Sequence, residues 1–218
     1  MTGVRTTTRF AVLAATLAAS VLLSRDIAAY TTTGEFWSRS SVDYRVNPVN
    51  LDLPESAVTA AVRAGADAWA QQSQANFSFA YAGASTQTTN TNDGVNLVLF
   101  RNASNGGAIA TTYWWSNGTG IIDADIVFWD AAFRFFAGST GCAGGFYIED
   151  IAAHEFGHAL GLGHSTAPNA TMLPSTSSCN MRNRSLDADD IAGVQALYPP
   201  RTAPPPPTAP TGLRLIRP

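Results

Sequence analysis

The sequence predicts an α+β fold, and three observations carry that expectation. Short alternating or wholly apolar runs, bounded by Gly, Ser, Asn and Asp turns, mark five strands. Three longer segments repeat apolar residues at helical spacing. The two kinds do not alternate one for one: a strand and a helix lead, four strands follow, and two helices close the chain.

Val42-Asp43-Tyr44-Arg45-Val46 alternates apolar and polar and reads as the first strand. Pro54 opens a helix with Glu55 in its first turn, and Val58, Ala61, Val62, Gly65 and Trp69 fall on one face. Phe77 to Tyr81 alternates again. Residues 83–94 are rich in Gly, Ser, Thr, Asn and Asp and read as a loop. Val95 to Phe100 is mostly apolar, as a central strand would be. Ile109–Trp115 and Ile121–Trp129 are two further strands, separated by a turn at 116–120. A Gly-rich connection at 138–145 leads to a helix from about Phe146 to Leu160, broken by Gly161 and Gly163. Residues 164–184 show little periodicity and read as an extended loop. In the last helix, Leu186 to Tyr198, Asp187 is placed to cap, Asp190 to be its acidic partner, and Leu186 to pack on Ile191.

The ends of the chain differ from this middle. Arg5 and Arg9 precede an apolar run from Phe10 to Leu23, with small residues through Ala28 and Ala29. A basic start, a short apolar stretch and a small-residue exit make a secretory leader over 1–29, and the run is short for a membrane anchor, the alternative reading. The expected product is exported, extracellular or periplasmic, without stable insertion in a membrane. Residues 30–35 read as its flexible new N-terminus. A single folded domain would then occupy 30–199, and 200–218 a Pro-rich tail or linker stub.

The net charge of -3 gives no electrostatic footprint for nucleic acid. In an exported protein the two cysteines, Cys142 and Cys179, read as a disulfide rather than as zinc ligands, since neither has a second cysteine nearby.

The chemistry lies in His154-Glu155-Phe156-Gly157-His158-Ala159-Leu160-Gly161-Leu162-Gly163-His164. On a helix, residues i and i+4 share a face, so His154 and His158 can present two imidazoles to one metal. Gly161 lets the backbone leave the helix in a left-handed conformation, and His164 can then complete the site. Three protein nitrogens and one open position is the arrangement of a catalytic zinc; a structural zinc is normally closed by four protein ligands. Glu155, directly after the first histidine, can reach a zinc-activated water and act as general base in peptide hydrolysis. A chance match to this pattern in a chain this long is on the order of one in 10⁵. The chain has 3 His in all, and every one lies in the motif. A helix carrying incidental histidines, with Glu155 as a surface carboxylate, is the reading this displaces.

His154 to His164 followed by Ser165 resembles the zinc signature of the metzincin clan, and Ser165 resembles its matrixin branch. Ala170-Thr171-Met172-Leu173-Pro174 is similar to the matrixin Met-turn, which implies that Met172 lies beneath the metal as an apolar floor. The resemblance implies a secreted zinc endopeptidase on a twisted, mostly parallel five-stranded sheet with three helices. It makes the strand around Ile109, Ala110 and Thr111 an antiparallel edge on which a peptide substrate could pair. The specificity pocket would lie between the motif helix and the segment after Met172.

The chain departs from the family in two respects. No PRCGxPD-like segment precedes Trp37, so cysteine-switch latency is not expected, as in a bacterial-like member. With no spare histidine, a second zinc is not expected either. Asp123, Asp125 and Asp130 are candidate calcium ligands, although solvated strand-end carboxylates are the preferred reading. A monomer acting on protein or peptide substrates is expected. A non-catalytic secreted zinc module and another metzincin branch are the alternatives.

Overall fold

The computed structural model describes residues 28–201. The leader read over 1–29 lies almost wholly outside the described residues, as does the tail read over 200–218.

A five-stranded sheet forms the frame, in the order β2-β1-β3-β5-β4. Its strands are β1 (Ser41–Asn47), β2 (Ser78–Ala84), β3 (Leu97–Arg101), β4 (Ala110–Ser116) and β5 (Ile121–Trp129). All pairings are parallel except β4 with β5, so β4 is the antiparallel edge. Three helices, α1 (Glu55–Ser73), α2 (Ile148–Ala159) and α3 (Ala188–Leu197), complete the expected α+β architecture. Two short strands, β6 (Phe135–Phe136) and β7 (Phe146–Tyr147), pair in parallel ahead of α2. Each is too short to leave a periodic pattern; the sequence reading passes over β6 and takes Phe146 and Tyr147 of β7 as the start of the helix, which begins at Ile148.

The strand patterns follow from which faces are covered. In β1, Val42, Tyr44 and Val46 point into the core while Ser41, Asp43 and Arg45 are exposed. The run of β3 is apolar on both sides because both are buried. Val98 and Phe100 join the main core under the helices. Leu97 and Leu99 join Val127 and Trp129 in a smaller cluster on the opposite face.

The helix α2 is held from behind by indole and phenol groups. Trp69 Nε1 donates to Ala153 O at 2.8 Å, and Trp37 Nε1 to Ala159 O at 2.8 Å. Tyr198 donates its hydroxyl to Leu160 O at 2.7 Å and accepts from Trp37 N at 3.0 Å. Helix α1 approaches α2 at Gly65, where a Cβ would lie 2.7 Å from both Ala152 Cβ and Ala153 N. The expected cap of α3 is present: Asp187 and Asp190 form a capping box.

Residues 30–35 are not the flexible terminus expected from their composition. Thr32 bridges Leu162, Thr33 N donates to Gly161 O at 2.8 Å and Gly163 N to Thr31 O at 2.9 Å. Gly193 of α3, with no side chain, leaves room for Tyr30 and Leu162 against it. The polar side chains hid this docking, because the backbone makes most of the contacts.

Cys142 and Cys179 are joined, with Cα atoms 5.6 Å apart, tying the Gly-rich connection to the loop before α3. Their separation is 37 residues, so serine at both positions is expected to cost about 3–4 kcal/mol on loop-closure entropy. An unchanged urea midpoint in that double variant would contradict this. Gly65→Ala is expected to destabilise by about 1–3 kcal/mol, since overpacking against a backbone outweighs the helix-propensity gain of at most about 1 kcal/mol. A thermal midpoint equal to or above that of the parent would show that the two helices can part without cost.

Candidate metal centre

Helix α2 places His154 and His158 on one face, and the turn that ends it places the third histidine. Gly161 N donates to His158 O and Leu162 N to Gly157 O, the two bonds of a Schellman turn, with Gly161 at φ +101° as expected of a left-handed exit. A side chain at Gly161 would also collide with the carbonyl of Glu35. The chain then turns back, and Thr31 Oγ1 donates to His164 O at 2.7 Å.

The donor atoms of His154, His158 and His164 all lie within 4.8 Å of one another. Among the described residues no other group of three His, Cys, Asp or Glu side chains converges so closely. The ring nitrogens are assigned by their neighbours. His154 Nδ1 is 2.7 Å from Thr171 O, and His158 Nδ1 is 2.9 Å from Leu162 O. A carbonyl only accepts, so each Nδ1 carries the proton and each Nε2 is left with a lone pair. The two Nε2 atoms are 3.1 Å apart. Two nitrogens bound to one tetrahedral zinc lie roughly 3.3 Å apart, given Zn–N bonds of about 2.0–2.1 Å. Burial lowers the pKa of both rings to about 4, so both are neutral near pH 7. Neutral imidazoles with paired lone pairs and carbonyl-anchored backs fit a divalent metal.

Glu155 is 5% exposed and lies in the same cleft. Burial raises its pKa, and the His158 ring, when protonated, and hydrogen bonding from Thr112 pull the other way. Thr112, on β4, was not among the residues singled out from the sequence. Its hydroxyl is 2.6 Å from Glu155 Oε2 and 3.0 Å from Glu155 O. The alternation of β4 could have pointed to it, since Ala110 and Thr112 share the inward face.

Met172 is buried, and a Cβ at Gly157 would overlap its sulfur, so the thioether packs directly on the motif helix. Asp190 fixes this segment. Its carboxylate accepts from Thr171 N (2.7 Å), Met172 N (3.1 Å) and Asp187 N (2.9 Å). One acidic residue thus caps α3 and sets the carbonyl that anchors His154.

The cleft has a volume of about 620 Å³. Ile109, Ala110 and Thr111 line it. Leu173 to Thr176, in the segment after Met172, line it as well. Phe133, Phe146 and Asn183 also line it, and no periodicity announced them. The aperiodic stretch 164–184 is firmly tied: buried Asp150 holds Arg184 at 2.6 Å and accepts from Asn183 N at 3.2 Å.

The strand-end carboxylates are not solvated. Asp123 and Asp125 are 0% exposed and Asp130 is 5% exposed. Asp125 accepts from Thr91 N and Leu97 N, Asp123 from Asp93 N and Gly94 N, and Asp130 from Leu51 N. They order the loops before β3 and α1 through backbone amides, which the reading of them as solvated carboxylates did not contain.

A five-stranded mixed sheet, a helix-borne histidine pair and a methionine segment beneath it define a metzincin-like domain. Residues 36–199 match the matrixin family model, and the chain belongs to the matrixin family, which is one of zinc metalloendopeptidases. It is 32% identical to human matrix metalloproteinase-20 over 174 residues, covering 76% of this chain and 32% of that protein. It is 29% identical to human neutrophil collagenase over 183 residues, 80% of this chain and 36% of that protein. Against human matrilysin it is 30% identical over 166 residues, 76% of this chain and 60% of that protein. The chain therefore spans about a third of the first two relatives and 60% of the third.

Asp190→Asn is expected to cost about 1–3 kcal/mol, because an amide offers one oxygen where three backbone N–H groups now converge on two. Urea denaturation measures the loss. A variant as stable as the parent would show that Thr171 and Met172 are held by other means.

Proposed function

We propose that this chain is an active zinc endopeptidase with His154, His158 and His164 as metal ligands and Glu155 as general base. The observation that carries the reading is the pair of Nε2 lone pairs 3.1 Å apart, beside a buried carboxylate in an open cleft.

A zinc ion held by His154, His158 and His164 would supply Lewis acidity there, toward a water and toward the substrate carbonyl. Glu155 takes the proton from the attacking water and delivers it to the leaving amine. Leu162 O and Thr171 O hold the two helix imidazoles in the tautomer that binds metal. Met172 supports the helix beneath them.

The substrate is an extended peptide. Strand β4 has a sheet partner on one side only, and its free edge borders the cleft, so a peptide adds there as a further strand. Phe146, Ile151, Leu173 and Phe133 make part of the cleft apolar, which favours a hydrophobic side chain next to the scissile bond. The leader reading of 1–29 places the enzyme outside the cytoplasm, where the Cys142–Cys179 disulfide is stable. No described helix is long and apolar enough to cross a membrane.

Glu155→Ala is expected to keep its zinc and fold and to lose roughly 10²–10⁴-fold in kcat on a peptide substrate. Chelation is expected to abolish hydrolysis and added zinc to restore it. Full activity in Glu155→Ala, or in metal-free protein, would refute the mechanism. Zinc binding without any peptide hydrolysis in the parent would support a non-catalytic module instead.

A further inference from the structure

We propose that Thr112 is a positioning residue for Glu155, its hydroxyl holding Oε2 so that Oε1 is the oxygen that exchanges a proton with the attacking water. The inference rests on the reading of Glu155 as general base and extends it to the edge strand.

A glutamate side chain has three torsions, and its terminal one is broad. A base that must meet a water at one position needs an anchor, and misplacement by about 1 Å can cost roughly 10²-fold in rate. Thr112 supplies the anchor. It is 8% exposed and Glu155 5%, so water competes little for this bond. Among the described residues its hydroxyl is the side-chain donor placed on this carboxylate, at 2.6 Å.

The hydroxyl has one hydrogen and two acceptors in reach. The carboxylate oxygen at 2.6 Å is closer than the main-chain carbonyl at 3.0 Å, and a charged acceptor makes the stronger bond. Occupying Oε2 makes the two oxygens inequivalent and leaves Oε1 open.

Threonine suits the position. Its branched side chain has a stiff χ1 and is at home in a strand. Thr112 is paired with Ile126 on the rigid β5, so the hydroxyl is fixed by the sheet and not by a loop. Ala110 and Thr111 of the same strand, and Ile109 just before it, border the cleft. The base is thereby registered to the element that carries the peptide, so the carboxylate and the scissile bond share one frame.

The test compares Thr112→Val and Thr112→Ser in the zinc-loaded full chain, alone and with Glu155→Gln, measuring kcat, KM, zinc content and thermal midpoint. In Thr112→Val, kcat is expected to fall roughly 10- to 100-fold, with KM within about twofold of the parent and zinc content unchanged. Thr112→Ser is expected to restore most of the rate, and Thr112→Val is expected to add no further loss to Glu155→Gln. Full kcat in Thr112→Val beside an inactive Glu155→Gln overturns the role of Thr112 alone. A fully active Glu155→Gln overturns the base on which it rests. Equal losses in the Val and Ser variants, or loss of zinc or of the thermal midpoint in Thr112→Val, assign the hydroxyl to a structural tie between β4 and α2 and overturn the proposal.

Discussion

His154 Nε2 and His158 Nε2 face each other across 3.1 Å with no hydrogen to share, because each ring donates its Nδ1–H to a backbone carbonyl. Two lone pairs at that distance repel unless a cation lies between them, so much of the surrounding structure serves to hold the carbonyls still. One carbonyl belongs to Leu162, fixed by the Schellman turn and by the segment 31–33 beside it. The other belongs to Thr171, whose amide and that of Met172 are gripped by Asp190. The closing helix, remote in sequence from the motif, therefore fixes the tautomer of its first histidine. This is second-sphere organisation in the sense that metal sites generally require.

The same economy recurs around the cleft. Arg184 joins Asp150 and Glu149 of α2 to Gly138 O and stacks over Tyr147, with its guanidinium carbon 4.8 Å from the ring centroid. A single cation thus draws the connection before the helix and the loop after Met172 onto the helix start. The partly buried guanidinium is compensated by two carboxylates and a carbonyl, as a desolvated charge must be. The segments on either side of the motif helix gain much of their order from this cluster and from the disulfide.

Much of this was legible in the sequence. The five main strands and three helices were readable because each buries one face or both, which leaves a period of two, a period near 3.6, or an unbroken apolar run. The motif was readable because metal ligation demands particular side chains at fixed spacing. The Asp187–Asp190 cap was readable for the same reason. What escaped depends on contacts between backbone and single side chains far apart in the chain. Thr31 to Thr33 are polar and look mobile, yet their amides and carbonyls pair with the turn after α2. Asp123 and Asp125 look like surface acids, yet they are buried against amides of the loop before β3. Thr112 is one threonine among many until the fold puts it beside Glu155. Strands β6 and β7, at two residues each, are too short to carry a period.

The position of the disulfide along the chain has a further consequence. Cys142 and Cys179 flank the three histidines, Glu155 and Met172 along the chain. Pro174, Ser175, Ser177 and Ser178 are exposed within that covalent ring. A nick at this point would leave both fragments linked through sulfur. Such a molecule would migrate as a single species on a non-reducing gel and separate into two only after thiol treatment, so the ring gives the domain some tolerance of a broken backbone.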